Sequence, residues 1–430
     1  MVMNYQTHTL RNGVRVIFVP MADVETVTVM IAVTTGSRHE DARENGLAHF
    51  LEHMFFKGTP RRPTPRHISA ELDGIGGAYN AATGKDYTVY HAKVRSTHAI
   101  TALDVLSDMF LNSRLLSRDI ERERGAILQE IRMYRDAPSR EIHHIFDAAV
   151  FGTRHPLGRT ILGPEKNIKT FTRRDILAYR RQCYTANNTI VCVAGKFPLR
   201  AVHAKIRKEF GAMSSAPPRS AVPFVPRRQS SPRVTIRHKR TDQTQCMFGV
   251  PAYGVHHPDR YALRVLTAIL GGGMSSRLFV RVRENRGLAY SIHASIDSYA
   301  ETGAFYVSAG IDHAHLDDVL RIILRECALL TRRTPSEKEI KTAKEYLSGR
   351  LVLGLETSDD IAYFITGQEI YHRRIMSAQE IIRRINAVTA DDIRRVANDL
   401  FIPSRYTLAI IGPHGAATRN RLQSLLNMSY

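Results

Sequence analysis

The run His49-Phe-Leu-Glu-His53 sets two imidazoles four residues apart with a carboxylate between them. In a helical pattern, positions four apart share a face, so both rings can reach one ion. Zinc accepts neutral histidine nitrogen readily, and a catalytic zinc site uses three protein ligands with a fourth position left for water. Glu52 lies on nearly the same face but one position off the ligand pair. It can accept a proton from that water without coordinating. Bound zinc brings the pKa of water down toward ~7, so a neighbouring carboxylate suffices as its base. An isolated His-x-x-x-His arises often by chance on an amphipathic helix, and the interior glutamate is what makes the motif specific.

A third ligand must come from elsewhere in the chain. The acidic stretch Asp119–Arg135 offers Glu121, Glu123 and Glu130. Glu123 and Glu130 are seven apart, about two helical turns, and share a face. One can bind the metal while the other holds a histidine N–H, as such sites usually require. Spacing does not assign the two roles.

The elements that must position these groups are legible in outline. Asn12-Gly13 between His8–Leu10 and Val14–Val19 signals a hairpin, because both residues tolerate the positive φ of a tight turn. Val24–Val33 and Tyr87–Ala92 read as strands, and helices are expected over Leu47–Phe56, Pro65–Ile75, Thr97–Leu111 and Asp119–Arg135. Strands clustered before and between long helices, without regular βαβ alternation, predict an α+β fold: sandwich domains, each a mainly antiparallel sheet packed with helices. Between Met213 and Arg233 five prolines sit among Ser and Arg. Proline fixes φ and removes a backbone donor, so this segment reads as a linker, 213–233, between domains 1–212 and 234–430. The two halves look alike. A helix-patterned stretch from Asp175 leads to the strand Ile190–Ala194 and Gly195, and another from Asp392 leads to Tyr406–Ile411 and Gly412, at the same separation. An internal duplication is the expectation.

Length and composition bound the function. At 430 residues the chain is long enough for two or more cores. No apolar run approaches the ~20 residues that span a bilayer, and the N-terminus lacks the basic-then-apolar pattern of a secretory signal. No membrane partner is expected, and the cytoplasm is the expected compartment. Cys183, Cys192, Cys246 and Cys327 show no C-x-x-C pairing and read as small core residues rather than zinc or disulfide partners. The formal charge of +20 raises the question of nucleic acid, but the basic residues are scattered and no recognition helix, RRM or finger pattern is present. No nucleic-acid partner is expected.

These residues carry a family likeness. Gly46–Gly58, Tyr79–Thr83 with Tyr87–Tyr90, and Glu121–Ile131 resemble the pitrilysin family of inverted-zincin metallopeptidases, whose motif is H-x-x-E-H. The short-chain group that includes the β subunit of mitochondrial processing peptidase is the most similar, and the likeness runs over nearly the whole chain. The resemblance implies one Zn²⁺ per chain, with His49 and His53 joined by the glutamate 77 positions after the second histidine, Glu130. It makes Glu123 the outer glutamate and Glu52 the general base of a peptide hydrolase. In the second half, Arg283 and Tyr290, seven apart, match the family's pair that contacts the substrate carbonyl. Guanidinium and phenol are donors suited to an oxyanion. Gly77–Ala82 is similar to the edge strand that receives an extended peptide, with Asn80 and Ala81 as the contact candidates. The family's chamber uses four such domains, which implies a homodimer or a heterodimer with a paralogue. A non-catalytic partner or scaffold subunit is the competing reading, and the intact His49, Glu52, His53 and Glu130 argue against it.

Overall fold

The computed structural model describes residues 4–226 and 229–428. The chain forms two compact units. The first runs to Ile131 and takes in Thr160–Val222 and Leu353–Ser377; the second comprises Arg132–Arg159, Pro223–Val352 and Ala378 onward.

The first unit is built on a six-stranded sheet. Its strands are β1 (Gln6–Thr9), β2 (Arg15–Pro20), β3 (Thr26–Val33), β4 (Ala78–Thr83), β5 (Thr88–Arg95) and β6 (Thr189–Gly195), in the order β1-β2-β6-β3-β5-β4. All neighbours are antiparallel except β2 and β6. β3 is buried along Val27–Val33, and β6 along its whole length. Such strands read as continuous apolar runs rather than as alternation, because both faces of the sheet are covered. On one face Met30, Ala32, Ile190 and Cys192 pack against Ile361, Ala362 and Ile365 of the helix Ser358–His372. Helices Leu47–Phe55 and Ala99–Asn112 belong to the same unit, the first packing on β4 and the second on β3 and β5.

The second unit repeats the plan with β7 (Arg233–His238), β8 (Thr244–Tyr253), β9 (Ala289–Ser298), β10 (Thr302–Ile311) and β11 (Thr407–Gly412), in the order β7-β11-β8-β10-β9. Again a single pair, β7 and β11, is parallel. By position in the sheet, β2, β6, β3, β5 and β4 correspond to β7, β11, β8, β10 and β9. The helices leading into β6 and β11 open with the same device. Thr172 caps Asp175 and Thr389 caps Asp392, each a reciprocal capping box. The duplication read from the Asp-to-Gly spacing is therefore present as matching topology. Ile142, Phe146 and Val150 of the helix Pro138–Phe151 pack on Met247, Tyr306, Ala409 and Ile411.

Among the described residues, no helix or strand forms between Phe210 and Arg233, where the prolines lie. All four cysteines are free and buried. No helix of the described residues is long and apolar enough to cross a membrane.

Each sheet is covered partly by a helix from the other half of the sequence. Replacing Ile365, which is fully buried against the first sheet, by alanine removes apolar burial and leaves a cavity. Ile365→Ala should cost about 2–5 kcal/mol in urea unfolding. Amide exchange should quicken at Met30 and Cys192; unchanged exchange there would show that the helix does not support this sheet.

Candidate metal centre

Helix Leu47–Phe55 buries Leu47, Ala48, His49, Phe50, Leu51, Met54 and Phe55, and Glu52 and His53 beside His49 are only partly covered. Its start has no side-chain cap at the N-cap residue. Gly46 sits there at φ 110°, and a Cβ would meet Ile168 Cδ1 at 2.8 Å and Leu162 O at 3.0 Å. Glycine is required for both reasons. The orphan N–H groups are taken instead by Glu40, a buried carboxylate that accepts from Ala48 N at 2.6 Å, Gly46 N at 2.9 Å and Asn45 Nδ2 at 3.0 Å. A negative charge at a helix N-terminus is favourable.

The second supporting element is helix Ser117–Asp136, which buries Ile120, Glu123, Ile127 and Ile131. Glu123 thus occupies a place in the apolar stripe. Arg124 anchors the helix by donating to the carbonyls of Ile168 and Phe171, and it also pairs with Glu121 at 2.7 Å. Glu121 is left largely exposed and is excluded as the third ligand.

The ligand atoms converge. His49 Nε2 and His53 Nε2 are 3.2 Å apart, and Glu130 Oε2 lies 3.5 Å from the first and 3.6 Å from the second. The group His49, His53 and Glu130 is also the cluster of metal-binding type found among the described residues. A tetrahedral zinc with bonds of about 2.0–2.2 Å has ligand-to-ligand edges of about 3.3–3.6 Å, close to the three distances of this triangle. The chemistry of the donors fits as well. His53 Nδ1 lies 2.8 Å from Glu123 Oε1, which accepts the Nδ1–H and so directs Nε2 to the metal position as the coordinating nitrogen. His49 Nδ1, which bears the proton when Nε2 coordinates, is buried without a hydrogen-bond partner among the described residues.

Electrostatics sets the protonation states. Burial, with His53 adding to it, pushes His49 down to about 3, so it is a neutral imidazole at physiological pH. For His53 burial also acts downward, but the hydrogen bond to Glu123 and the fields of Glu123, Glu52 and Glu130 outweigh it and raise the pKa. Burial raises Glu52 above the ordinary carboxylate value, against the hydrogen bond it accepts from Thr83 Oγ1 of β4. A raised pKa makes Glu52 a stronger base than a solvated glutamate. Burial would raise Glu123 too, but its hydrogen bonds with His53 and with Lys57, at 2.6 Å, outweigh burial and hold it low.

Glu130 is therefore placed among the histidine nitrogens and Glu123 behind His53. Asn80 and Ala81 lie on β4, the sheet edge that also supplies Thr83, and the Ala81 N–H donates to Asn80 Oδ1 at 2.9 Å. In the second unit Arg283 and Tyr290 are side by side. The guanidinium lies 5.5 Å from the centre of the tyrosine ring, and Tyr290, on the edge strand β9, is 75% exposed. Three supporting residues carry no mark in the sequence: Glu40 acts from nine residues before His49, Lys57 acts through Glu123, and Thr83 reaches Glu52 only once β4 is laid beside the helix.

Fold and site together define an α+β metallopeptidase scaffold with the inverted His-x-x-Glu-His order. Two solved structures share the fold. A protease from Helicobacter pylori superposes with a TM-score of 0.90 at 22% identity, covering 96% of this chain and all of that one. A peptidase M16 inactive domain from Pseudomonas fluorescens gives 0.87 at 20% identity, covering 96% and 99%. Residues 15–165 match the family model described as insulinase, peptidase family M16, and residues 170–347 match the one described as the peptidase M16 inactive domain. The chain is 35% identical to YmxG of Bacillus subtilis, an uncharacterized zinc protease, over 95% of this chain and 98% of that one. It is 36% identical to the uncharacterized zinc protease Rv2782c of Mycobacterium tuberculosis, over 95% and 93%. A probable mitochondrial-processing peptidase β subunit of Arabidopsis thaliana is 35% identical over 94% of this chain and 78% of its own length. The chain belongs to peptidase family M16.

Two outcomes test the supports of the site. Burial pushes Glu40 up to about 7, against its three N–H donors, so the folded state holds this proton more tightly than the unfolded chain does. Its contribution to stability is full below the ordinary carboxylate pKa and is lost as pH rises through about 7, by up to roughly 3 kcal/mol. The urea midpoint of the protein should therefore fall more steeply from pH 5 to pH 8 than that of Glu40→Gln, and equal slopes would contradict this. Lys57→Met removes the cation that holds Glu123 and should weaken zinc binding by about tenfold in a chelator competition. An unchanged affinity would show that Lys57 does not act on the site.

Proposed function

We propose that the chain is a zinc-dependent endopeptidase, with one Zn²⁺ per chain, that hydrolyses oligopeptides or extended segments of unfolded polypeptide. The observation that carries this reading is the triangle of His49, His53 and Glu130 ligand atoms, within 3.6 Å of one another, with the Glu52 carboxylate held beside them by Thr83. When bound, zinc lowers the pKa of water toward ~7 and polarises a peptide carbonyl. Glu52 takes the proton from the attacking water and passes it to the leaving amine. Its raised pKa suits both halves of that transfer.

The peptide adds as a further strand to the open edge of β4, where main-chain hydrogen bonds give affinity with little dependence on sequence. Asn80 releases the Ala81 N–H for this purpose, since the donor is otherwise held by the asparagine side chain. Arg283 makes no ion pair among the described residues, and Tyr290 is exposed. Both are available to donate to the developing oxyanion. Likeness to a processing-peptidase subunit supports assembly as a homodimer or with a paralogue. Four free, buried cysteines suit a reducing compartment such as the cytoplasm.

The test is cleavage of a quenched fluorescent peptide library with and without 1,10-phenanthroline. Chelator should abolish turnover. Glu52→Gln should keep its zinc and lose about 10²–10⁴ in rate. Turnover retained by Glu52→Gln would remove it as the base, and stoichiometric zinc without any cleavage by the parent protein would favour the non-catalytic partner reading. Arg283→Ala or Tyr290→Phe should lower kcat with zinc retained, and unchanged kinetics would remove the pair from the mechanism.

A further inference from the structure

We propose that the second unit contains a binding pocket for a compact phosphoryl anion, set behind the turn that carries Arg283. The proposal uses no residue of the metal centre and is independent of the peptidase reading. Residues Phe279–Glu284 form a π-helical turn, closed by the bond from Asn285 N to Val280 O at 2.9 Å. Such turns are rare and are frequently found at functional sites. A cavity of about 390 Å³ lies between this turn and helix Leu316–Arg332. Arg281, Asn285 and Arg286 contribute to its wall from the turn, and Arg325 and Glu326 from the helix.

The charges around this cavity do not balance. Glu326 is completely buried, and its oxygens are shared by Arg281 at 2.6 Å and Arg277 at 3.5 Å. Arg277 is also held by Glu339 at 2.6 Å. Arg286 and Arg325 have no carboxylate partner among the described residues. Among the residues that line the cavity, three guanidiniums, Arg281, Arg286 and Arg325, face the single carboxylate of Glu326, which leaves an excess of positive charge at one concave site. Guanidinium forks match phosphate oxygens in geometry and charge, and three of them around one cavity suit a tetrahedral group better than a single planar carboxylate. Asn285 adds a neutral donor. The volume is at the lower end for small-molecule sites, which sets the size of the ligand.

The turn has two working faces. Arg281 and Asn285, four apart, look into the cavity. Arg283 instead lies over the rings of Phe279, at 5.0 Å, and Tyr290, at 5.5 Å. A bound anion bridging Arg281 and Arg286 to Arg325 would fix the turn against the helix and, with it, the placement of Arg283.

The probe is inorganic pyrophosphate, titrated by calorimetry into the full-length protein at constant ionic strength so that general screening is held fixed. Saturable binding with a Kd below about 1 mM is expected. The double variant Arg286→Gln/Arg325→Gln, at exposed positions, should bind at least tenfold more weakly. Pyrophosphate should slow amide exchange over residues 279–288 in the parent protein and not in that variant. A charge-matched control, Arg321→Gln/Arg332→Gln on the same helix, should bind as the parent does. Absence of saturable binding, equal binding by the Arg286/Arg325 variant, an equal loss in the control, or citrate binding as tightly as pyrophosphate would each overturn the proposal.

Discussion

Three lone-pair atoms, two imidazole nitrogens and a carboxylate oxygen, are held within 3.6 Å of one another, an arrangement that repels itself unless a cation sits among them. The first unit is organised around tolerating that convergence. The histidine helix is seated by Gly46, which alone fits against Leu162 and Ile168, and its amides are tied down by Glu40. The glutamate helix is pinned by Arg124 to two backbone carbonyls. Between them runs the chain Lys57 to Glu123 to His53, which fixes the tautomer of one ligand from behind. Interactions of this kind place the donors before any metal arrives and so reduce the reorganisation that binding requires.

Duplication gives the protein two versions of one sheet, and chemistry has been distributed unevenly between them. The edge strand β4 lies beside the histidine helix and supplies Thr83 to Glu52; the corresponding edge strand β9 carries Tyr290. Corresponding edge strands thus carry different side chains, Thr83 at the end of β4 and Tyr290 at the start of β9. The π-helical turn before β9 carries Arg283, whose guanidinium lies over the ring of Tyr290.

What could be read from the sequence follows the range of each interaction. His49, Glu52 and His53 lie within five residues, so the helical period alone places them on one side. The strand Val24–Val33 and the helix Thr97–Leu111 appear as Thr26–Val33 and Ala99–Asn112, with ends displaced by one or two residues, as expected where caps rather than pattern decide. Glu123 and Glu130 could not be told apart by spacing because both lie on one face. Their roles differ by depth: Glu123 continues the stripe of Ile120, Ile127 and Ile131, whereas Glu130 stands at its margin. Glu40, Lys57 and Thr83 were illegible because each acts through a partner distant in sequence or through a second side chain. The same holds for Ser358–His372. Nothing local in that segment says that Ile361, Ala362 and Ile365 cover the first sheet.

That exchange of cover has a consequence for the chain as an inheritable object. A gene split in the proline-rich segment would yield two products that each expose an apolar sheet face, because the first sheet needs Ile361 and Ile365 and the second needs Phe146 and Val150. The repeated unit is therefore no longer separable into its ancestors. The two halves can diverge in side chains, but they are obliged to travel as one polypeptide.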